Sequence, residues 1–179
     1  MREKNVILTN KVILVTGAAG FIGSNLAKRL LSTVEGVKVV GLDNMNHYYD
    51  VRLKEARLNE LEQFENFSFV KGNLADKAVI ESIFEQYKPE IVVNLGAQAG
   101  VRYSITNPDA YVEANLIGFY NILEACRHSY DEGHTVIRLP IIFGLFNGVT
   151  SMLRSFQLCM GNTKSVEVGL CSTRRIPRH

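Results

Sequence analysis

The chain has 179 residues, enough for one ordinary domain and too few for two of full size. An apolar fraction of 46% and a charged fraction of 21% exclude disorder and collagen-like repeats. A net charge of +2 excludes a general basic field for nucleic acid or for an anionic membrane surface. The charge is unevenly placed. Residues 1–133 hold 14 basic and 17 acidic side chains, whereas residues 134–179 hold 6 basic and one acidic. The expected organisation is therefore a globular domain over 1–133 and a basic tail over 134–179. Three cysteines, with no Cys-x-x-Cys, argue against a disulfide scaffold and a zinc site and for a reducing compartment. The first apolar stretch, Val12–Ile22, is broken by Gly17 and Gly20 and makes a poor leader. No window approaches the ~18 apolar residues of a membrane span. A cytoplasmic protein is expected.

The elements follow in chain order. Lys11–Thr16 is a short apolar run fitting a strand buried on both faces. Ile22, Leu26 and Leu30 recur at helical spacing after Gly23. Val37–Leu42 is a second strand, and Asp50–Phe64 an amphipathic helix with apolar positions at Val51, Leu53, Ala56, Leu58, Leu61 and Phe64. Phe67–Val70 is a third strand. Asp76 is placed to cap a helix over 76–87 that Pro89 stops. Ile91–Leu95 is a fourth strand. Asn107 and Pro108 are placed to begin one long helix reaching Arg127. Thr135–Leu139 reads as a further strand, Ser151–Met160 as a short helix, and the chain from Thr163 as irregular. Strands alternating with helices predict an α/β fold, a doubly wound parallel sheet.

The chemistry concentrates at strand ends. Gly17-Ala-Ala-Gly20-Phe-Ile-Gly23 follows a strand and opens a helix. Gly17 permits the tight turn, Gly20 a close approach to a pyrophosphate, and Gly23 close helix–sheet packing. The helix start, with Phe21 and Ile22, offers free N–H groups to phosphate oxygens. Asp43 ends the second strand, 20 residues beyond Gly23, where a carboxylate accepts from ribose hydroxyls and repels a 2′-phosphate. NAD is thus expected over NADP. Asn44 adjoins it. Asn73 and Leu74 follow the third strand, and the Asn73 amide can meet an adenine edge. Leu95, Ala97 and Gln98 follow the fourth strand, on the ribose–nicotinamide side. Asn115 lies in the long helix, facing either solvent or the sheet. Arg102, in a polar loop before Tyr103 and Ser104, can meet an anionic substrate. The four histidines have no metal-ligand spacing.

The stretches Val15-Thr-Gly-Ala-Ala-Gly-Phe-Ile-Gly-Ser24, Gly41-Leu-Asp-Asn-Met-Asn-His-Tyr-Tyr-Asp50, Gly96-Ala-Gln-Ala-Gly-Val-Arg-Tyr-Ser104 and Asn107-Pro-Asp, through Asn115 to Glu124-Ala-Cys-Arg127, carry a family resemblance. The chain resembles the NAD-dependent sugar-nucleotide epimerase/dehydratase family of extended short-chain dehydrogenase/reductases. The second and third stretches are most like its uronate 4-epimerases. Asn73 stands where that family usually has Asp, and Asn94 where it usually has His. The resemblance implies a Rossmann-like sheet, bound NAD, a UDP-sugar substrate, and hydride passing out and back at C4. It implies contacts to the cofactor from Gly17, Gly20, Phe21, Ile22, Gly23, Asp43, Asn44, Asn73, Leu74, Leu95, Ala97, Gln98 and Asn115, and to the substrate from Arg102 and Ser104.

The family's catalytic Tyr-x-x-x-Lys is missing. Four residues beyond the seven tyrosines stand Arg52, Leu53, Ile91, Asn107, Asn115, Glu124 and His134. Tyr48 with Arg52 is the nearest imitation, and its place after the second strand predicts a position near the adenosine end. Residues 135–144 resemble a later strand of these enzymes, as if several tens of residues were absent near Gly133. The sheet would then be incomplete, with only a remnant of the C-terminal substrate lobe. Unrelated sequence over 134–179 is the alternative. In either case Thr135–Phe143 is apolar enough to cover the open edge of the fourth strand. The function expected is the NAD-binding portion of such an epimerase without its activity. A non-catalytic NAD(P)-sensing module and a non-functional fragment are the other readings. A homodimer is not expected, because one family dimer helix carries the absent pair.

Overall fold

The computed structural model describes residues 5–134, 136–140 and 166–167. The larger of two units runs Leu8–Leu145. In the other unit, β1 (Asn5–Val6) pairs antiparallel with a two-residue strand, Val166–Glu167, inside the stretch expected to be irregular. The helix expected over Ser151–Met160 lies outside the described residues.

The elements of the larger unit are β2 (Val12–Thr16), α1 (Phe21–Thr33), β3 (Lys38–Asp43), α2 (Val51–Leu61), β4 (Phe67–Lys71), α3 (Lys77–Tyr87), β5 (Ile91–Asn94), α4 (Val101–Thr106), α5 (Pro108–Tyr111), a π-helical segment (Val112–Ile117), α6 (Gly118–Asp131) and β6 (Ile137–Pro140). The five strands form one parallel sheet in the order β4-β3-β2-β5-β6. The strand order reverses between the neighbours β2 and β5, so their carboxyl ends flank a crevice. β6 covers the edge of β5, with Ile91 opposite Ile137 and Asn94 opposite Pro140. Proline ends that strand, where its missing N–H costs least.

The core follows the two-residue period of the strands. Leu14, Val40, Leu42 and Val92 pack with Ile80, Ile83 and Phe84 of α3 and with Ile122, Ala125 and Cys126 of α6. The alternate residues Ile13, Val15, Val39, Ile91 and Val93 are equally buried. Among the described residues no helix is long and apolar enough to cross a membrane.

Four details correct the sequence reading. α1 buries Gly23, Ser24, Ala27, Leu30 and Leu31, while Ile22 and Leu26 are half-buried. The two small residues, Gly23 and Ala27, are what bring that face close to the sheet. α2 buries Lys54, Leu58 and Leu61, and Leu53 and Ala56 face solvent. Its inner stripe therefore begins with a lysine. Arg102–Ser104 is not loop but lies in α4. The long helix expected from Asn107 is instead α5, the π-helical segment and α6 in succession, with the Asn107 side chain accepting from Ala110 N–H as the cap. Asp76 caps α3 as expected, accepting from Ala78 and Val79 N–H.

An ion pair closes the amino end of the sheet. Lys11 Nζ donates to Glu90 Oε1 at 2.5 Å, and Val12 N–H donates to Glu90 Oε2 at 3.3 Å. The Lys11 hydrogen bond, above all, holds the Glu90 carboxyl below its ordinary value. A depressed folded-state value means stability present above the usual carboxylate range, near pH ~4.3. That stability is lost as pH falls through the depressed value. Both side chains are 37% exposed, so Glu90→Gln is expected to cost less than about 1 kcal/mol at pH 7. The variant's deficit should shrink by pH 3 in urea titrations. An equal deficit at both pH values contradicts this account.

Candidate functional site

The turn after β2 is shaped by backbone contact. Gly17 has φ +67°, and a Cβ there would lie 3.0 Å from Gly96 N. Gly20 N–H donates to Gly17 O at 3.0 Å, closing the turn. A Cβ on Gly23 would lie 2.1 Å from Gly17 O, so the first turn of α1 rests directly on the glycine turn. Gly20 is the N-cap of α1 and provides no side-chain cap. The first N–H groups of a helix have no intrahelical partner and carry the positive end of its dipole. An anion suits this place.

Asp43 ends β3 and is 7% exposed. Its Oδ1 accepts from Met45 N–H at 2.9 Å and from Lys54 Nζ at 3.2 Å, and its Oδ2 accepts from Ala19 N–H at 3.2 Å. Lys54 Nζ also donates to Asn46 Oδ1 at 3.0 Å and lies 5.2 Å from the centre of the Tyr49 ring. Lys54 is thus buried because a carboxylate awaits it, which explains the polar start of the α2 stripe. A carboxylate has about four lone-pair sites, and three are used here, leaving one for a ligand hydroxyl.

The end of β5 is tied to β2 and to the π-helical segment. Thr16 Oγ1 donates to Asn94 Oδ1 at 2.6 Å and accepts from Leu95 and Gly96 N–H at 3.0 and 2.8 Å. Asn115 settles its open alternative by facing inward. Its Oδ1 accepts from Gln98 N–H at 2.8 Å, and its Nδ2 donates to Gln98 O at 3.0 Å. Asn73 is engaged at both ends, since Nδ2 donates to Glu113 Oε1 at 2.6 Å and Oδ1 accepts from Ala75 N–H at 3.0 Å.

These strand ends enclose a cleft of about 670 Å³. Gly17, Gly20, Asp43 and Asn44 line it, as do Asn73, Leu74, Leu95, Ala97 and Gln98. Phe21, Ile22 and Gly23 do not line it, and Phe21 is 71% exposed beside Arg57. Asn115 does not line it either, and is bonded to the Gln98 backbone instead. Neither Arg102 nor Ser104 lines the cleft, and Tyr103 between them does. A groove of about 370 Å³ elsewhere is built from α3 and α6 side chains rather than strand ends. Among the described residues no group of three or more His, Cys, Asp or Glu could hold a metal ion.

Tyr48 lines the cleft with its ring 5.0 Å from that of Tyr103, and Asn46 Nδ2 donates to Gln98 Oε1 at 3.4 Å. The loop therefore crosses from the end of β3 to the residues after β5. Tyr111 donates to Gly100 O, and desolvation, with Tyr48 and Tyr103 beside it, pushes its hydroxyl above the ordinary value. A tyrosine base needs the opposite direction. Lys54 and Glu113 were missed in the sequence. Lys54 had a signal, its place at i with Leu58 and Leu61 at i+4 and i+7. Glu113 had none, its partner lying 40 positions away.

Comparison with known proteins gives consistent matches. A family model for GDP-mannose 4,6 dehydratase matches residues 14–139. Protein CapI of Staphylococcus aureus is 53% identical over 116 residues, 65% of this chain and 34% of that protein. A probable UDP-glucuronate 4-epimerase of Rhizobium meliloti is 50% identical over 114 residues, 64% of this chain and 33% of that protein. The crystal structure of Bacillus cereus UDP-glucuronic acid 4-epimerase with UDP-glucuronic acid and NAD has a TM-score of 0.60. Its identity is 34% over 65% of this chain and 36% of its own. The chain thus spans about a third of the length of the curated relatives it matches.

Proposed function

The chain belongs to the GDP-mannose 4,6 dehydratase family, among the sugar-nucleotide epimerases and dehydratases of the extended short-chain dehydrogenase/reductases, and we propose that its residues 11–133 hold NAD in the cytoplasm. The observation that carries this is the cleft itself, with a glycine turn that a Cβ would block at one end and a buried carboxylate after the next strand. Gly17 and Gly20 hold the pyrophosphate, with the positive end of the α1 dipole behind them. Asp43 accepts from the adenosine ribose with its remaining lone pair, and Lys54 donates alongside. Asn73 and Leu74 meet the base, and Ala97 and Gln98, steadied by Asn115, lie along the nicotinamide half. When bound, NAD supplies hydride acceptance and return. In relatives named UDP-glucuronate 4-epimerase, that chemistry serves a UDP-sugar. Arg102 and Ser104, outside the cleft lining, are the residues for that sugar in this proposal.

The chain holds the cofactor and does not invert the sugar. No tyrosine is followed four residues later by lysine, the pair to which the family resemblance gives the proton transfer. A cradle without the Tyr-x-x-x-Lys pair also fits a module that senses NAD(P) level, which differs only in what reads the bound state. The test is an NAD titration of the purified chain followed by thermal melting. A ligand at a hundred times its Kd adds about 2.7 kcal/mol to stability. The midpoint is expected to rise by roughly 5–10 °C. In the same preparation UDP-glucuronate should yield no UDP-galacturonate. An unmoved midpoint at millimolar NAD refutes the cofactor reading, and turnover refutes the inactivity.

A further inference from the structure

This inference rests on the reading of the cleft as an NAD site and concerns which base the site accepts. Asn73, after β4, lines the cleft beside Leu74 and Glu113. An amide has a donor end and an acceptor end of nearly the same shape, so an asparagine by itself does not fix which end a ligand meets. Here both ends are fixed. Ala75 N–H occupies one lone pair of Asn73 Oδ1 at 3.0 Å, and Glu113 Oε1 takes one hydrogen of Asn73 Nδ2 at 2.6 Å. Turning the amide over would set Oδ1 against an acceptor-only carboxylate and Nδ2 against a backbone donor. One lone pair on Oδ1 and one hydrogen on Nδ2 remain for a ligand, in a set order. Asparagine reads adenine with this pair, accepting from the 6-amino group and donating to a ring nitrogen. A 6-oxo base would bring its own acceptor against Oδ1 with no hydrogen between them.

We infer that Glu113 is a positioning residue that locks the Asn73 amide for a 6-aminopurine, so the cleft refuses a 6-oxopurine dinucleotide. Glu113 comes from the π-helical segment, and its own side chain need not touch the base.

Calorimetric titration of the full chain with NAD and with nicotinamide hypoxanthine dinucleotide tests this, the two ligands differing in the 6-amino or 6-oxo group and in the proton that the 6-oxo base carries on N1. NAD is expected to bind about tenfold or more tighter, the worth of one hydrogen bond kept against one lost. Glu113→Ala, at an exposed position, should melt like the parent and lose most of that preference. Glu113→Gln keeps an acceptor for Asn73 and should retain most of it. Asn73→Ala should abolish the preference, and adding Glu113→Ala to it should change nothing more, because one residue acts through the other. If the parent chain binds no NAD, the cofactor reading fails and this inference with it. If NAD binds but the hypoxanthine analogue binds equally, or Glu113→Ala keeps the full preference, the inference alone fails. Additive losses in the double variant assign Glu113 a direct contact and overturn the positioning role.

Discussion

Asp43→Ala is expected to destabilise the chain by roughly 3–5 kcal/mol, the cost of leaving one member of a buried ion pair behind. Lys54 is 5% exposed at its side chain and loses its carboxylate, while Ala19 and Met45 N–H lose their acceptor. The same variant removes the proposed ribose contact, so weakened NAD binding alone would not separate a damaged fold from a damaged site. The pair Asp43→Ala with Lys54→Met separates them. An apolar side chain of similar length removes the stranded charge, and such replacements are often neutral or better. The double variant should regain much of the lost stability in urea unfolding and none of the lost NAD affinity. Recovery of both would show that Asp43 serves only to neutralise Lys54.

The second large effect is expected at Gly23. Alanine there sets a methyl group 2.1 Å from the Gly17 carbonyl oxygen and 3.0 Å from Ala18 Cα, against the backbone of one peptide unit. No rotamer relieves a Cβ contact. The start of α1 must lift from the turn, and overpacking of this kind costs about 3 kcal/mol or more. Because the turn itself is deformed, anion binding should fall with stability. Ser32→Ala, on the exposed side of the same helix, should stay within about 0.5 kcal/mol of the parent. A Gly23→Ala protein that melts with the parent would mean that the helix start is not seated on the glycine turn.

What the sequence revealed and what it hid divide along physical lines. β2 and β5 were legible because the strand residues buried on both faces, 13–15 and 91–93, are all apolar. The glycine turn was legible because close backbone approach admits little else, and Asp43 because it falls at a fixed distance from that turn. Lys54 was hidden because charge normally marks the wet side of a helix, and only its partner on another element reverses that rule. The link of Asn73 to Glu113 was hidden because nothing local to either residue requires the other. The crossing of Tyr48 to Tyr103 was hidden for a related reason: a loop's origin on β3 does not say where its tip will rest. Arg102 read as loop because Gly100 before it and Asn107 after it punctuate the chain, yet the six residues between them suffice for one short helix.

The wide turn over Val112–Ile117 sets one last condition. An α-helix advances about 100° per residue, so every side chain on a regular rod is phased to every other. A turn carrying one residue too many breaks that phasing once. Upstream of α6, Glu113 and Asn115 address two different loops, while downstream Ile122, Ala125 and Cys126 keep their seat under the sheet. Deleting a single residue there would tidy the helix and still turn one half of it away from its contacts. Exchanging a side chain in this stretch disturbs one contact, whereas changing their number disturbs all of those on one half.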